Sequence, residues 1–208
     1  MVAVENLAEY LLEQIKTEDV VRVAASEAEY LNIAPEFPGK LEYHNGEIIA
    51  MSLAKFWHEV LVNGLGFLLE QYFRNKLYLV VNSNAGLQVP AKEAGYYQPD
   101  LMVIDQSPIF KPGSECIITN PYLIIEVLSK STRKYDKEDK LPGYKEITSL
   151  QYIIHVAQDH PYVSVYERTD QSDVWLNTDY RTLDSVVKLG DLTLPLREIY
   201  HKIQFPNP

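Results

Sequence analysis

The sequence of 208 residues has a single cysteine, Cys116. That excludes an internal disulfide framework and a multi-cysteine metal site. No apolar run approaches the ~18 residues of a membrane-spanning helix, so no membrane partner is expected. The N-terminus, MVAVENLAEYLLEQIK, has two glutamates among its first nine residues and no basic leader ahead of an apolar block. It therefore does not read as a secretory signal, and the expected location is cytoplasmic. Internal repeats and low-complexity tracts are also missing, which argues against solenoids and propellers. Positive charge is scarce: 19 Lys+Arg stand against 29 Asp+Glu, a net charge of −10. This argues against a protein that coats nucleic acid by bulk attraction.

What is present suits one globular domain with a decorated end. Hydrophobic residues make up 46% of the chain, and there are 15 tyrosines. Residues 1–39 read as an N-terminal helical extension and 40–208 as the main domain. In the extension, Leu7, Tyr10, Leu11 and Ile15 lie on one helical face, and Pro35, Pro38 and Gly39 form a turn or linker. Asn45-Gly46 between two alternating runs predicts a hairpin within 40–52. Residues 55–75 carry Trp57, Val60, Leu61, Leu65, Leu68 and Tyr72 at helical spacing. Strands are expected over 77–90, 96–105, 121–129 and 151–157. The run YLIIEVL suits a strand buried on both faces. A helix is expected over 132–147, capped by Ser131 or Thr132 and kinked or stopped at Pro142-Gly143. Segments 162–167 and 174–180 read as a closing hairpin.

Two carboxylates occupy strands that are otherwise apolar. Asp100 follows Pro99, and Glu126 sits in the middle of YLIIEVL. A buried carboxylate is costly unless cations or donors compensate it. By alternation Glu126 shares a face with Ile124 and Leu128, and Asp100 shares one with Met102 and Ile104, so neighbouring strands would bring the two acids together. Such an oxygen-only pair, with neither His nor Cys, suits Mg²⁺ or Mn²⁺ rather than Zn²⁺. Asp136, Lys140 and Tyr144 then follow at i, i+4 and i+8 on one face of the next helix. A lysine there can orient an attacking water and stabilise developing phosphoryl charge.

These residues resemble the Uma2 family, also called DUF820, a bacterial branch of the PD-(D/E)XK nuclease superfamily. The resemblance covers roughly residues 40–170. It rests on Gly46-Glu47, Trp57-His58, Gln98-Pro99-Asp100, Glu126-Val127-Leu128-Ser129 through Ser131-Thr132, Asp136, Lys140 and Tyr144, then Tyr152 and Val165-Tyr166. It implies an α/β fold with a restriction-endonuclease-like αβββαβ core, a mixed central sheet, an N-terminal helical segment and extra β-hairpins. It also implies a divalent metal and phosphodiester hydrolysis. Asp100 and Glu126 would be the metal ligands, helped by the Val127 carbonyl. The superfamily places a lysine two residues after the acid, where this chain has Leu128, so the resemblance moves that role to Lys140. His155 stands where relatives commonly carry a carboxylate and reads as structural.

The leading expectation is an endonuclease of the reducing cytoplasm, active with Mg²⁺ or Mn²⁺ on DNA more readily than RNA, weakly bound without metal, and homodimeric. Glu47 is a candidate third carboxylate, His58 a candidate site residue, and Gln98 a candidate contact to water or phosphate. Two alternatives are a non-catalytic binding or dimerisation module on the same fold and a hydrolase of small phosphate esters. Charge is distributed unevenly: residues 130–145 hold six Lys/Arg against three Asp/Glu. A local basic patch on the helix bordering the site is compatible with phosphate contact inside an otherwise repelling surface.

Overall fold

Leu7 and Leu11, one helical turn apart, bury the inner face of α1 (Val4–Gln14), while Tyr10 on the same expected face is 42% exposed. The computed structural model describes residues 4–82, 85–90, 95–171 and 173–205. Strand β1 (Val20–Ala24) follows, then α2 (Glu27–Ile33). The start of α2 is closed by a capping box: Ser26 accepts from the Glu29 N–H, and Glu29 reaches back to the Ser26 N–H. Strands β2 (Lys40–His44) and β3 (Glu47–Met51) form the expected hairpin. Asn45 (φ 48°) and Gly46 (φ 81°) both take the positive φ that a two-residue type I′ turn requires. Strand β1 pairs along β3, so the segment ahead of residue 40 contributes a strand as well as helices.

The next helix, α3 (Phe56–Phe73), buries Leu61, Leu65 and Leu69. Trp57 lies at the same spacing but is 51% exposed at the helix start. Beyond α3 the chain alternates between two sheets. The expected strand over 77–90 is two strands, β4 (Tyr78–Asn82) and β5 (Gly86–Val89). Likewise 96–105 divides into β6 (Gly95–Tyr97) and β7 (Leu101–Asp105). The second division has a local cause. The Gln98 N–H goes to the Glu42 side chain, and Pro99 has no N–H to give, so the ladder ends and the chain changes sheets. With β8 (Ile117–Ile118), the first sheet has the order β1-β3-β2-β6-β5-β8.

Strand β9 (Pro121–Leu128) is central to the second sheet and buried along both faces except at Tyr122. Ser129 caps the helical segment that follows: its Oγ accepts from the Thr132 N–H, and its carbonyl accepts from the Arg133 N–H. The cap is thus two residues earlier than expected. Pro142 does not stop the helix. A π-helical turn over Tyr135–Lys140 precedes it, and α4 (Leu141–Glu146) continues through it. Proline lacks an N–H and crowds the preceding turn, and a turn widened by one residue absorbs both defects.

Strands β10 (Tyr152–Ala157), β11 (Val163–Arg168) and β12 (Trp175–Tyr180) complete a second sheet of order β12-β11-β10-β9-β7-β4. Among the described residues only β9 and β10 pair in parallel within it, joined by the α4 crossover. In chain order α3, β4, β7, β9, α4 and β10 form the αβββαβ core. Strands β13 (Val186–Leu189) and β14 (Leu192–Pro195) make a small hairpin before α5 (Leu196–Ile199). One face of β9, with Ile125 and Val127, packs with Leu61 and Leu65 of α3. The other face, with Ile124, packs with Tyr97, Met102 and Tyr144.

His155 on β10 pairs in register with Glu126 and is fully buried. Neither ring nitrogen has a hydrogen-bond partner among the described residues, and its ring stands edge-on to Tyr166. Burial, and then Lys137, Lys140 and Lys145, pull its pKa down to about 3. The unfolded chain takes up this proton near pH ~6.5 while the fold excludes it, so the group costs stability as pH falls from about 6.5 toward 3. His155→Leu is expected to lose about 2 kcal/mol less stability than the native chain between pH 7 and pH 5, read by urea unfolding. Equal acid sensitivity of the two proteins would refute the neutral buried assignment.

Candidate active site

The site begins with strand register. Strand β7 runs antiparallel to β9 with Leu101 opposite Ile125, so the next step brings Asp100 beside Glu126. The Val127 N–H donates to Asp100 Oδ2 at 2.8 Å, locking the two strand ends together. Within a strand the N–H and C=O of one residue point to the same side, so the Val127 carbonyl also faces the Asp100 side, past the end of β7.

The following helix closes on Glu126 from above. Lys140 Nζ donates to Glu126 Oε1 at 2.9 Å, and the Tyr144 hydroxyl donates to the same oxygen at 2.5 Å. Lys140 also contacts Asp136 Oδ1 at 3.2 Å. The i, i+4, i+8 face thus converges on Glu126, with Asp136, Lys140 and Tyr144 all buried. Lys140 is fully enclosed and does not line the open cleft.

Two residues that sequence reading missed come from the hairpin. Glu42 is fully buried, and its Oε1 lies 2.9 Å from Lys140 Nζ and accepts from the Gln98 N–H at 2.8 Å. Lys40 Nζ donates to Asp100 Oδ1 at 3.0 Å. The Asn45-Gly46 turn and the apolar run of β3 carried a signal for both. In that register Glu42 faces Ile49 and Lys40 faces Met51. A polar residue opposite a buried apolar one on such a hairpin is drawn inward: Glu42 is fully buried and Lys40 partly so. Glu47, proposed as the third carboxylate, is instead at the surface beside Arg22 at 3.4 Å. One position from the turn, it cannot reach the site, and Glu42 takes the place assigned to it.

His58, from the first turn of α3, places Nε2 3.2 Å from Asp100 Oδ2. Gln98 uses its side-chain oxygen to accept from the Leu41 N–H at 3.0 Å, fastening the first sheet to the segment before Asp100. Above these residues opens a cleft of about 620 Å³. Asp100, Glu126, Asp136, Lys40, His58, Ser129, Ser131 and Thr132 are among the residues that line it, with Asp19, Lys55 and Glu59.

The two acids sit in opposite electrostatic environments. Burial disfavours the Asp100 charge, but Lys40, His58 and the Val127 N–H outweigh it and hold its pKa far below the usual carboxylate range. For Glu126, burial prevails over Lys140, helped by the charge of Asp136, and pushes its pKa up to about 7. Asp136 is shifted up for the same reason. Lys140, opposed by burial but held by Glu126, Glu42 and Asp136, stays protonated. His58 is raised because its hydrogen bond to Asp100 overcomes burial.

Known proteins resemble this chain in sequence and, in one case, in fold. The family model for Uma2, described as "Putative restriction endonuclease", matches residues 28–197. The uncharacterized protein sll1609 of Synechocystis sp. is 34% identical over 73% of this chain and 85% of its own length. A second Synechocystis protein, slr1290, also uncharacterized, is 29% identical over 86% of this chain and 93% of its own. The crystal structure of a protein from Anabaena variabilis, described as a putative nuclease belonging to DUF820, superposes with a TM-score of 0.66 at 19% identity. The match covers 84% of this chain and 96% of that one, and shows the shared fold. By the extent of the family match, this chain is a member of the Uma2 family.

Proposed function

We propose that this chain is a divalent-metal-dependent endonuclease that hydrolyses phosphodiester bonds of nucleic acid, with DNA preferred to RNA. The observation that carries the reading is the meeting of two buried carboxylates, Asp100 and Glu126, from adjacent strands in one open cleft that Lys40, Lys55 and His58 also line. The descriptions of the Uma2 family and of the Anabaena protein support the same reaction class.

Among the described residues no three His, Cys, Asp or Glu side chains form a preformed metal-holding cluster. The donor set still fits Mg²⁺ or Mn²⁺, because such ions use one or two carboxylates and fill the rest of their shell with water and substrate phosphate. The charge balance fits as well: Asp100, Glu126, Glu42 and Asp136 face two lysines, Lys40 and Lys140. Asp100 and Glu126, with the Val127 carbonyl, would hold the ion. When bound, it supplies a Lewis acid for a phosphoryl oxygen and acidifies water.

The chain's own residues divide the remaining work. Lys140, buried among three carboxylates, is a positioning residue that fixes Glu126 Oε1 together with Tyr144. Asp136 and Glu42 in turn hold Lys140. His58 orients Asp100 from the far side. Lys40 is the lysine beside Asp100 that faces the cleft, so it is placed to neutralise an entering phosphate.

With Mn²⁺ and a DNA substrate, Glu126→Ala should lower cutting by more than about a hundredfold. Equal cutting by both proteins would point to a contaminant. Calorimetric Mn²⁺ titration should show binding that Asp100→Asn removes. Binding unaffected by that change would favour a non-catalytic module on the same fold. Lys140→Met should lower stability by about 3–5 kcal/mol, because it leaves buried carboxylates uncompensated. Lys40→Gln should reduce cutting at least about tenfold with a smaller loss of stability. The reverse ordering in paired melting and cutting assays would contradict the assigned roles.

A further inference from the structure

The basic run on the capped helix does not all face the catalytic cleft. Thr132 and Asp136 line that cleft, whereas Arg133 and Lys137, one position on, line a second. This smaller cleft, of about 250 Å³, lies at the carboxyl ends of the parallel strands β9 and β10. Its other polar walls are His160, Tyr162 and Arg181. Among the described residues, every charged side chain lining it is therefore cationic or a histidine.

Two carboxylates brace these cations without lining the cleft. Asp159 Oδ1 accepts from Arg133 Nη2 at 2.9 Å and lies 2.7 Å from His160 Nδ1. Asp179 takes Arg181 Nη2 at 2.6 Å and the Tyr162 hydroxyl at 3.0 Å. Lys137 Nζ and the Arg181 guanidinium both stand over the Tyr162 ring, at 5.1 and 5.2 Å. Arg133 Nε is buried and makes no hydrogen bond among the described residues. Two guanidiniums and an ammonium converging on one small cleft match a tetrahedral oxyanion. The volume falls below the ~300 Å³ at which sites begin to enclose drug-sized ligands, so it suits one compact anion.

The two clefts share a wall. Val127, Ser129 and Gln158 line the first, and their chain neighbours Leu128 and Ala157 line the second. We infer that the second cleft binds a backbone phosphate of the same nucleic-acid strand that enters the cleft over Asp100 and Glu126. This rests on the nuclease reading above, and it assigns Arg133, Lys137 and Arg181 to register the strand rather than to cut it.

The test uses Lys137→Gln/Arg181→Gln, whose side chains are at least partly exposed, with Arg133→Gln as a second variant and melting curves to confirm folding. Binding of a labelled DNA duplex is measured by fluorescence anisotropy across a salt series, inorganic phosphate binding by calorimetry, and Mn²⁺-dependent cutting in the same preparations. The expected result is about tenfold or weaker DNA binding, a salt slope lower by about one, and loss of phosphate binding in the folded variants. Unchanged DNA affinity and slope would overturn the inference, while cutting by the same protein would leave the catalytic reading intact. If the native chain bound phosphate but no nucleic acid, the nucleic-acid assignment would fall and a free-anion site would replace it. Phosphate binding equal in native and variant proteins would overturn the site itself.

Discussion

A carboxylate in the middle of a strand that is buried on both faces must be compensated, and the site is organised around that of Glu126. Lys140 supplies the charge and Tyr144 a hydroxyl, both aimed at one oxygen. Lys140, itself fully buried, needs more than one acid to offset its own desolvation, and Glu42 and Asp136 provide it. The compensating groups come from two places in the chain. Glu42 lies on the first hairpin, while Asp136, Lys140 and Tyr144 lie on the helix that leaves β9. The constellation therefore ties the two sheets and the crossover helix to a single point.

The second constraint is the place where the chain changes sheets. Gln98 is bonded through its side chain and its backbone to the hairpin, and Asp100 is bonded to β9. Three consecutive residues thus join both sheets at the cleft. Lys40 crosses the same gap to reach Asp100. Displacing the hairpin would withdraw Lys40 and Glu42 together, so the first sheet is part of the site's geometry and not an ornament on the core.

Much of this was legible in the sequence where a residue contradicted its local pattern. Glu126 within an apolar run, Asn45-Gly46 between alternating strands, and the i, i+4, i+8 spacing of Asp136, Lys140 and Tyr144 each carried a physical signal that the fold bears out. Less legible were features decided by tertiary partners. The sheet changes within 77–90 and 96–105 were hidden because apolar alternation reads alike in either sheet. The π-helical turn was hidden because Pro142 signals a defect without saying how the backbone absorbs it. Glu42 lies in a run, LEYH, that reads as an ordinary half-polar strand, and its burial follows from its cross-strand partner. The opposing residue Ile49 held the better clue. The helix charge was read as one patch bordering the site, whereas Lys140 is buried within it and Arg133 and Lys137 face away to a second cleft.

An acidic chain can still present cations where a phosphodiester would lie, because charge acts locally at ionic strengths that screen over ~10 Å. Lys40 and His58 at one cleft and Arg133, Lys137 and Arg181 at the other are such local groups. The central claim is that Asp100 and Glu126 together form a divalent-metal centre. A Mn²⁺-soaked crystal measured at the manganese absorption edge tests it most directly. The account predicts an anomalous peak within ~2.2 Å of carboxylate oxygens from both residues. A peak elsewhere, or no peak while Lys40, His58, Lys140 and Tyr144 keep their hold on both carboxylates, would contradict it.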